Sequence, residues 1–151
     1  MSHKVRMKII DYLSTHGFLH LATITPEGDP CAHTVRYVSE GPNIYFMSDK
    51  ETTKVKNIQS RPRVAFTVDE DCPDPRQIQG VQVKGTAAIV IDEKEKERIR
   101  ELFFQKFPKL RDINPTPGEV VVRISPLTGN YLDNTYALDF IEHTFFPNME
   151  S

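Results

Sequence analysis

The sequence predicts an α+β, mostly β fold: a six- to seven-stranded antiparallel split β-barrel with peripheral helices. Three observations predict it. Short segments rich in β-branched and aromatic residues recur along the chain, separated by Pro/Gly turns. Only three stretches carry helical spacing. Residues 77–91 read as one long strand with Gly80 and Gly85 inside it, positions suited to bulges, and a strand this long commonly bends around a small barrel. At 151 residues the chain is expected to form one domain, residues 1–151, large enough to bury a core without disulfides or metals.

In order, Val5, Ile9, Ile10 and Leu13 fall at helical spacing, with Ser2 as N-cap and Gly17 just past the end. Phe18–Ile24 reads as a strand. Pro26-Glu-Gly-Asp-Pro30 is a turn, so Cys31–Ser39 should return antiparallel. On that strand Cys31, His33, Val35 and Tyr37 share one face and Ala32, Thr34, Arg36 and Val38 the other. A turn at Glu40–Asn43 leads to a strand over Ile44–Ser48. Thr52–Ser60 is a short helix with Val55 and Ile58 as apolar contacts, and Pro62 blocks its continuation. Val64–Val68 is the next strand, and the acidic run Asp69–Pro75 reads as a solvated loop.

After the long strand, Asp92-Glu-Lys-Glu95 forms a capping box for a helix with Ile99, Leu102, Phe103 and Phe107 on one face, ended by Pro108. Glu119–Ser125 and Gly129–Asp133 read as two further strands. The tail from Tyr136 to Phe146 is rich in aromatics.

Composition narrows the function. Apolar content of 38% and charged content of 26% suit an ordinary globular protein, and a net charge of −2 leaves no footprint for nucleic acid or a membrane surface. No apolar run nears the roughly 20 residues that span a bilayer. Two cysteines, Cys31 and Cys72, are too few for a disulfide framework or metal knuckle, so a cytoplasmic setting fits. No metal site and no nucleophile–base pair stands out. His20 and His33 face each other plausibly across the first hairpin, but two histidines without a third ligand make a weak metal site.

The most informative stretch is residues 43–68: a strand, a helix opening on Thr52, Thr53 and Lys54, and a strand begun by Arg-Pro-Arg. A helix N-terminus carries unpaired N–H groups and partial positive charge, so it holds phosphate well. The alternative is a surface helix with good N-terminal chemistry.

Taken in order, Pro-x-Gly-x-Pro, the Tyr-Phe strand, Thr-Thr-Lys-x-x-Asn-Ile, Arg-Pro-Arg-Val and Val-x-Val-x-Gly-Thr-Ala resemble the pyridoxamine 5′-phosphate oxidase-like family of FMN-binding split barrels. The match spans roughly Phe18 to Asp133. The resemblance implies a homodimer with FMN in the groove between subunits. It implies that His33, Thr34, Val35 and Arg36 run along the flavin, that Phe46, Met47 and Ser48 pass it, and that Thr52, Thr53 and Lys54 grip its phosphate. Gln82, with Gln79 as a second candidate, would face the cofactor from a neighbouring strand. Thr53 stands where the oxidase proper carries arginine, and Arg36 or Lys50 could supply the missing charge.

The oxidase itself is a poor match, since the chain has no tryptophan and its tail, Tyr136–Ser151, has no arginine. The resemblance thus implies an oxidoreductase or flavin reductase acting on a small molecule, with an electron donor such as NAD(P)H. A non-catalytic flavin or electron carrier, or a haem or deazaflavin binder, remains the alternative. For haem, His143 is the available axial ligand.

Overall fold

The computed structural model describes residues 2–147; Met1 and the last four residues of the tail lie outside the described part. Helix α1 (Ser2–Ser14) is followed by strands β1 (Phe18–Ile24), β2 (Pro30–Arg36), β3 (Val38–Glu40) and β4 (Asn43–Asp49). Helix α2 (Thr53–Ser60), β5 (Arg63–Asp69), β6 (Gln79–Ile89), α3 (Glu93–Lys106), β7 (Glu119–Asp133) and β8 (Ile141–Phe145) complete the order. The sheet runs β2-β1-β5-β6-β7-β4-β3, antiparallel at every step, with β8 attached to β7 off that path. The expected split barrel with peripheral helices is what the chain forms.

The two ends of the sheet, β2 and β3, are neighbours in sequence. The sequence reading makes Cys31–Ser39 a single strand, and the structure breaks it at Tyr37. That side chain is fully buried, its hydroxyl donates to Leu13 O at 2.6 Å, and its N–H donates to Gly17 O at 3.0 Å. Pinned at both ends, Tyr37 lets the chain leave β1 and cross to β4, which curls the sheet on itself.

A second correction joins two expected strands. Glu119–Ser125 and Gly129–Asp133 are one strand, β7, because its partner β6 bends with it: the register slips between Lys84, which faces Thr128, and Gly85, which faces Pro126, so that Leu127 is skipped. A Cβ at Gly85 would lie 2.5 Å from Ser125 O, so only glycine permits that approach. The aromatic tail holds an unforeseen strand, β8, which pairs with the distal half of β7.

Two apolar clusters sit on either side of the wall. Inside the curl, Leu19, Leu21, Phe46, Phe66, Val83 and Val122 pack under α1, whose Val5, Ile9, Tyr12 and Leu13 close the barrel. Outside it, Ile99 and Phe103 of α3 cover Val38, Tyr45, Val90 and Val121. Of the expected capping box the N-cap half forms, with Asp92 accepting from the Glu95 N–H at 3.3 Å, while the Glu95 carboxylate turns to Arg123 and Tyr45 instead of reaching back. Ser2 is the first helical residue rather than a cap, and its hydroxyl bonds that of Thr144 on β8. No helix among the described residues is long and apolar enough to cross a membrane.

Candidate functional site

Strand β4 delivers Ser48 to the rim of the barrel, and a turn brings the chain into α2. Asp49 fixes that turn: its carboxylate accepts from Glu51 N–H at 2.8 Å and from Thr116 Oγ1 at 3.0 Å, and both bonds hold its pKa below the ordinary carboxylate value. Thr52 is the N-cap of α2, yet its hydroxyl donates backwards to Asp49 O at 2.8 Å and touches Ser48 Oγ at 3.2 Å. It makes no side-chain cap, which leaves the first N–H groups of α2 without a side-chain acceptor. Thr53 is exposed beside it.

Lys54 is half-buried in the first turn of α2. Burial lowers its pKa, and no acid among the described residues offsets the effect. An ammonium in that position gains from any anion delivered to it. The donor set therefore fits a phosphate monoester of the kind FMN carries: the exposed Thr53 hydroxyl, the first N–H groups of α2 and the Lys54 ammonium.

His33 lies next to this end of α2. It points inward from β2, and its Nε2 is 2.8 Å from Thr23 Oγ1 of β1; Asn57 Nδ2 of α2 donates to the same oxygen at 3.0 Å. Thr23 and Asn57 are buried. Burial first, and the charge of Lys54 second, hold the His33 imidazole below its ordinary pKa. The expectation that His20 and His33 face each other is overturned by register. His33 pairs with Leu21, while His20 pairs with Thr34 on the opposite face, with Nδ1 3.2 Å from Thr34 Oγ1. A one-residue offset in a strand exchanges faces, so the two rings lie on opposite sides of the wall.

The remaining sequence-derived positions separate. Val35 and Phe46 are core side chains, and Met47 turns to the α3 side. Thr34 and Arg36 lie on the outer face of β2, where the Arg36 guanidinium sits 5.7 Å from the Phe18 ring centroid. Lys50 is exposed in the turn, its backbone N–H donating to Gly118 O. Gln79 binds Asp133 Oδ1 at 3.3 Å and takes the Tyr12 hydroxyl on its carbonyl at 3.2 Å, near the α1 side of β6. Gln82 lines a recess of about 330 Å³ on the outer sheet face with His20, Thr67, Asn130 and His143.

The structure thus gathers His33, Ser48, Thr52, Thr53 and Lys54 at one rim and puts Thr34, Arg36 and Gln82 on the outside of the same wall. Thr23 and Asn57 were missed as site residues. The available signal was a threonine among the inward positions of β1 and an asparagine between the apolar contacts of a short helix.

Fold and site define a split-barrel protein with an anion-ready helix end set into its wall. The model of the family described as Pyridoxamine 5′-phosphate oxidase matches residues 6–133, and the chain belongs to that pyridoxamine 5′-phosphate oxidase-like family. It is 28% identical over 122 residues to General stress protein 26 of Bacillus subtilis, covering 81% of this chain and 84% of that one. It is 32% identical over 85 residues to a 5a,11a-dehydrotetracycline/5a,11a-dehydrooxytetracycline reductase of Streptomyces rimosus, covering 53% of this chain and 60% of the reductase.

Among solved structures, a Listeria innocua protein named for pyridoxamine 5′-phosphate oxidase superposes with TM-score 0.71 at 25% identity, over 85% of this chain and 98% of that one. A FAD-binding protein of Mesorhizobium loti gives 0.67 at 20% identity (82% and 90% covered), and a heme binding protein of Mycobacterium smegmatis 0.77 at 18% (96% and 58%). The last two likenesses bear on the fold alone.

Proposed function

We propose that this chain is an FMN-binding flavoprotein that works as a homodimer and transfers electrons to a small molecule, as an oxidoreductase or flavin reductase. The carrying observation is Lys54: a half-buried cation with no acid partner among the described residues, in the first turn of a helix whose N-cap side chain leaves the first N–H groups free. The family membership and the reductase among the relatives support the same reading. The flavin supplies the hydride or electron chemistry when bound, and the protein supplies binding and orientation.

The divided site supports the dimer reading. One chain holds the phosphate grip at the rim and Gln82 and Thr34 on the outer face, so a flavin touching both sets needs a second copy. The outer face suits such packing, since Phe18, Ile141 and Phe145 are large exposed apolar residues on its strands. The small-molecule substrate would reach the flavin face left open, with NAD(P)H as the donor class.

The test is the absorption spectrum of the purified protein with FMN and then NADPH. Flavin bands with bleaching support a reductase. Reduction only by dithionite or a partner protein indicates an electron carrier. Lys54→Ala should weaken FMN binding by roughly 1.5–3 kcal/mol, the worth of a charge-assisted contact. Unchanged affinity moves the phosphate elsewhere.

A second reading rests on His143. Its Nδ1 lies 2.6 Å from Asn130 Oδ1, so the ring donates there and leaves Nε2 as a bare lone pair beside the outer recess. That is the arrangement of a histidine ready to ligate iron. A Soret band on adding haem, lost in His143→Ala, would replace FMN by haem as the cofactor.

A further inference from the structure

The buried contact between β1, β2 and α2 fixes more than packing. Thr23 is completely buried, and its hydroxyl oxygen meets two side chains, Asn57 Nδ2 at 3.0 Å and His33 Nε2 at 2.8 Å. An amide N–H can only donate, so Asn57 takes one lone pair of that oxygen. The hydroxyl proton still needs an acceptor, because buried donors are seldom left unpaired. Among the described residues His33 Nε2 is the acceptor within reach. Donation therefore runs from Asn57 to Thr23 to His33. Nε2 must be bare, and the neutral ring carries its proton on Nδ1.

We propose that the Asn57–Thr23 pair locks His33 as the neutral Nδ1–H tautomer, making it a fixed hydrogen-bond donor to an acceptor oxygen of the ligand held at the Lys54 rim. Nδ1 has no protein partner among the described residues, and the ring is only half-buried. The charged groups around His33 agree: of the elements packed on it, α2 contributes the Lys54 ammonium, and that charge together with burial disfavours the imidazolium. A ring held in this way cannot take a proton on Nδ1, so it donates and does not act as a base from that atom. Asn57 and Thr23 are positioning residues, and the rim offers one cation, the Thr53 hydroxyl and a neutral N–H. That set suits the oxygens of one phosphate monoester, or a neutral carbonyl oxygen beside it, and does not provide for a second anion. The identity of the acceptor rests on the FMN reading; the tautomer belongs to the free chain.

The experiment is long-range ¹H–¹⁵N correlation on ligand-free protein with ¹⁵N-labelled histidine, followed by FMN titration. Wild type should show His33 with a protonated Nδ1 and a bare Nε2. Thr23→Ser should keep that pattern, and Thr23→Val should release it to a mixture. In Asn57→Asp the carboxylate can only accept, so Thr23 turns its proton inward and the His33 proton moves to Nε2. FMN affinity should fall roughly 3- to 10-fold in Thr23→Val, the worth of one hydrogen bond, and hold in Thr23→Ser.

A wild-type His33 protonated on Nε2, or an Asn57→Asp variant with the wild-type pattern, overturns the proposal. So does a folded Thr23→Val that binds FMN as tightly as wild type. If Thr23→Val does not fold, Asn57→Asp carries the same decision. Failure of the wild type to bind FMN removes the ligand half together with the cofactor reading, and the tautomer is still decided on the free protein.

Discussion

Two half-buried cations lie against the same barrel wall, and the fold treats them in opposite ways. On the α3 side, Arg123 Nη1 is held by both oxygens of Glu95, at 2.8 and 3.0 Å. The Tyr45 hydroxyl donates to the same carboxylate at 3.1 Å, and Arg98 continues the network to Glu40 at 2.9 and 3.0 Å. On the α2 side, no acid among the described residues offsets the burial of Lys54. Burial alone does not explain the difference. Lys106 is also a half-buried lysine with a lowered pKa, yet its ammonium donates to His16 O just past the end of α1 and lies 4.3 Å from the Tyr37 ring centroid. The chain carries 21 acidic residues against 19 lysines and arginines, so acids are not scarce. Arg123 and Lys106 are each given partners by the fold; under the proposed function Lys54 is left for an anion from outside.

The comparison breaks first at Glu95. Glu95→Gln should remove the charge that balances Arg123 and cost about 2 kcal/mol, less than a fully buried pair because a third of the Arg123 side chain reaches water. Urea denaturation should show a lower midpoint at unchanged slope. Lys54→Met should do the reverse. Losing an unpartnered ammonium leaves ligand-free stability unchanged or raises it by on the order of 0.5 kcal/mol. The same variant should lose most of the thermal upshift that FMN gives the wild type, since that shift is linked binding. If Lys54→Met destabilises the free protein as much as Glu95→Gln does, Lys54 is structural and the contrast disappears.

What was legible in the sequence divides along the same line. The strands and the helix faces carry strong periodic signals, so the barrel was readable, as was the N-cap at Asp92. The helix opening at Thr52–Lys54 was readable because it is local: hydroxyls and a lysine at a helix start need no distant partner to be recognised. The break at Tyr37 was not readable, because both of its anchors, Leu13 and Gly17, lie on other segments. Pro126 hid the continuity of β7, since a bulge in β7 itself, at Leu127, is what allows a proline within the ladder there. The polar contact of Thr23, Asn57 and His33 joins three elements, and periodicity marks each residue only as inward. Sequence shows which face a residue takes; it does not show which inward residues meet.

The finest test of the contrast is the acid limb of the stability curve, where His33 reports on Lys54. Burial, and then the Lys54 charge, hold the His33 pKa below its ordinary 6.5. Between the folded value and 6.5 the unfolded chain binds more protons than the folded one, so stability rises with pH across that interval. On acidification, stability is lost as pH falls through the unfolded value and levels off below the folded one. Urea midpoints from about pH 5 to about pH 7.5 should therefore slope upward in wild type. The slope should shrink in Lys54→Met, where burial remains as the only cause, and the His33 share should vanish in His33→Gln. Saturating FMN should act in the same direction as Lys54→Met without touching the chain, because a bound phosphate offsets the ammonium that His33 senses. If FMN binds but leaves the His33 titration where it was, the phosphate does not sit at Lys54.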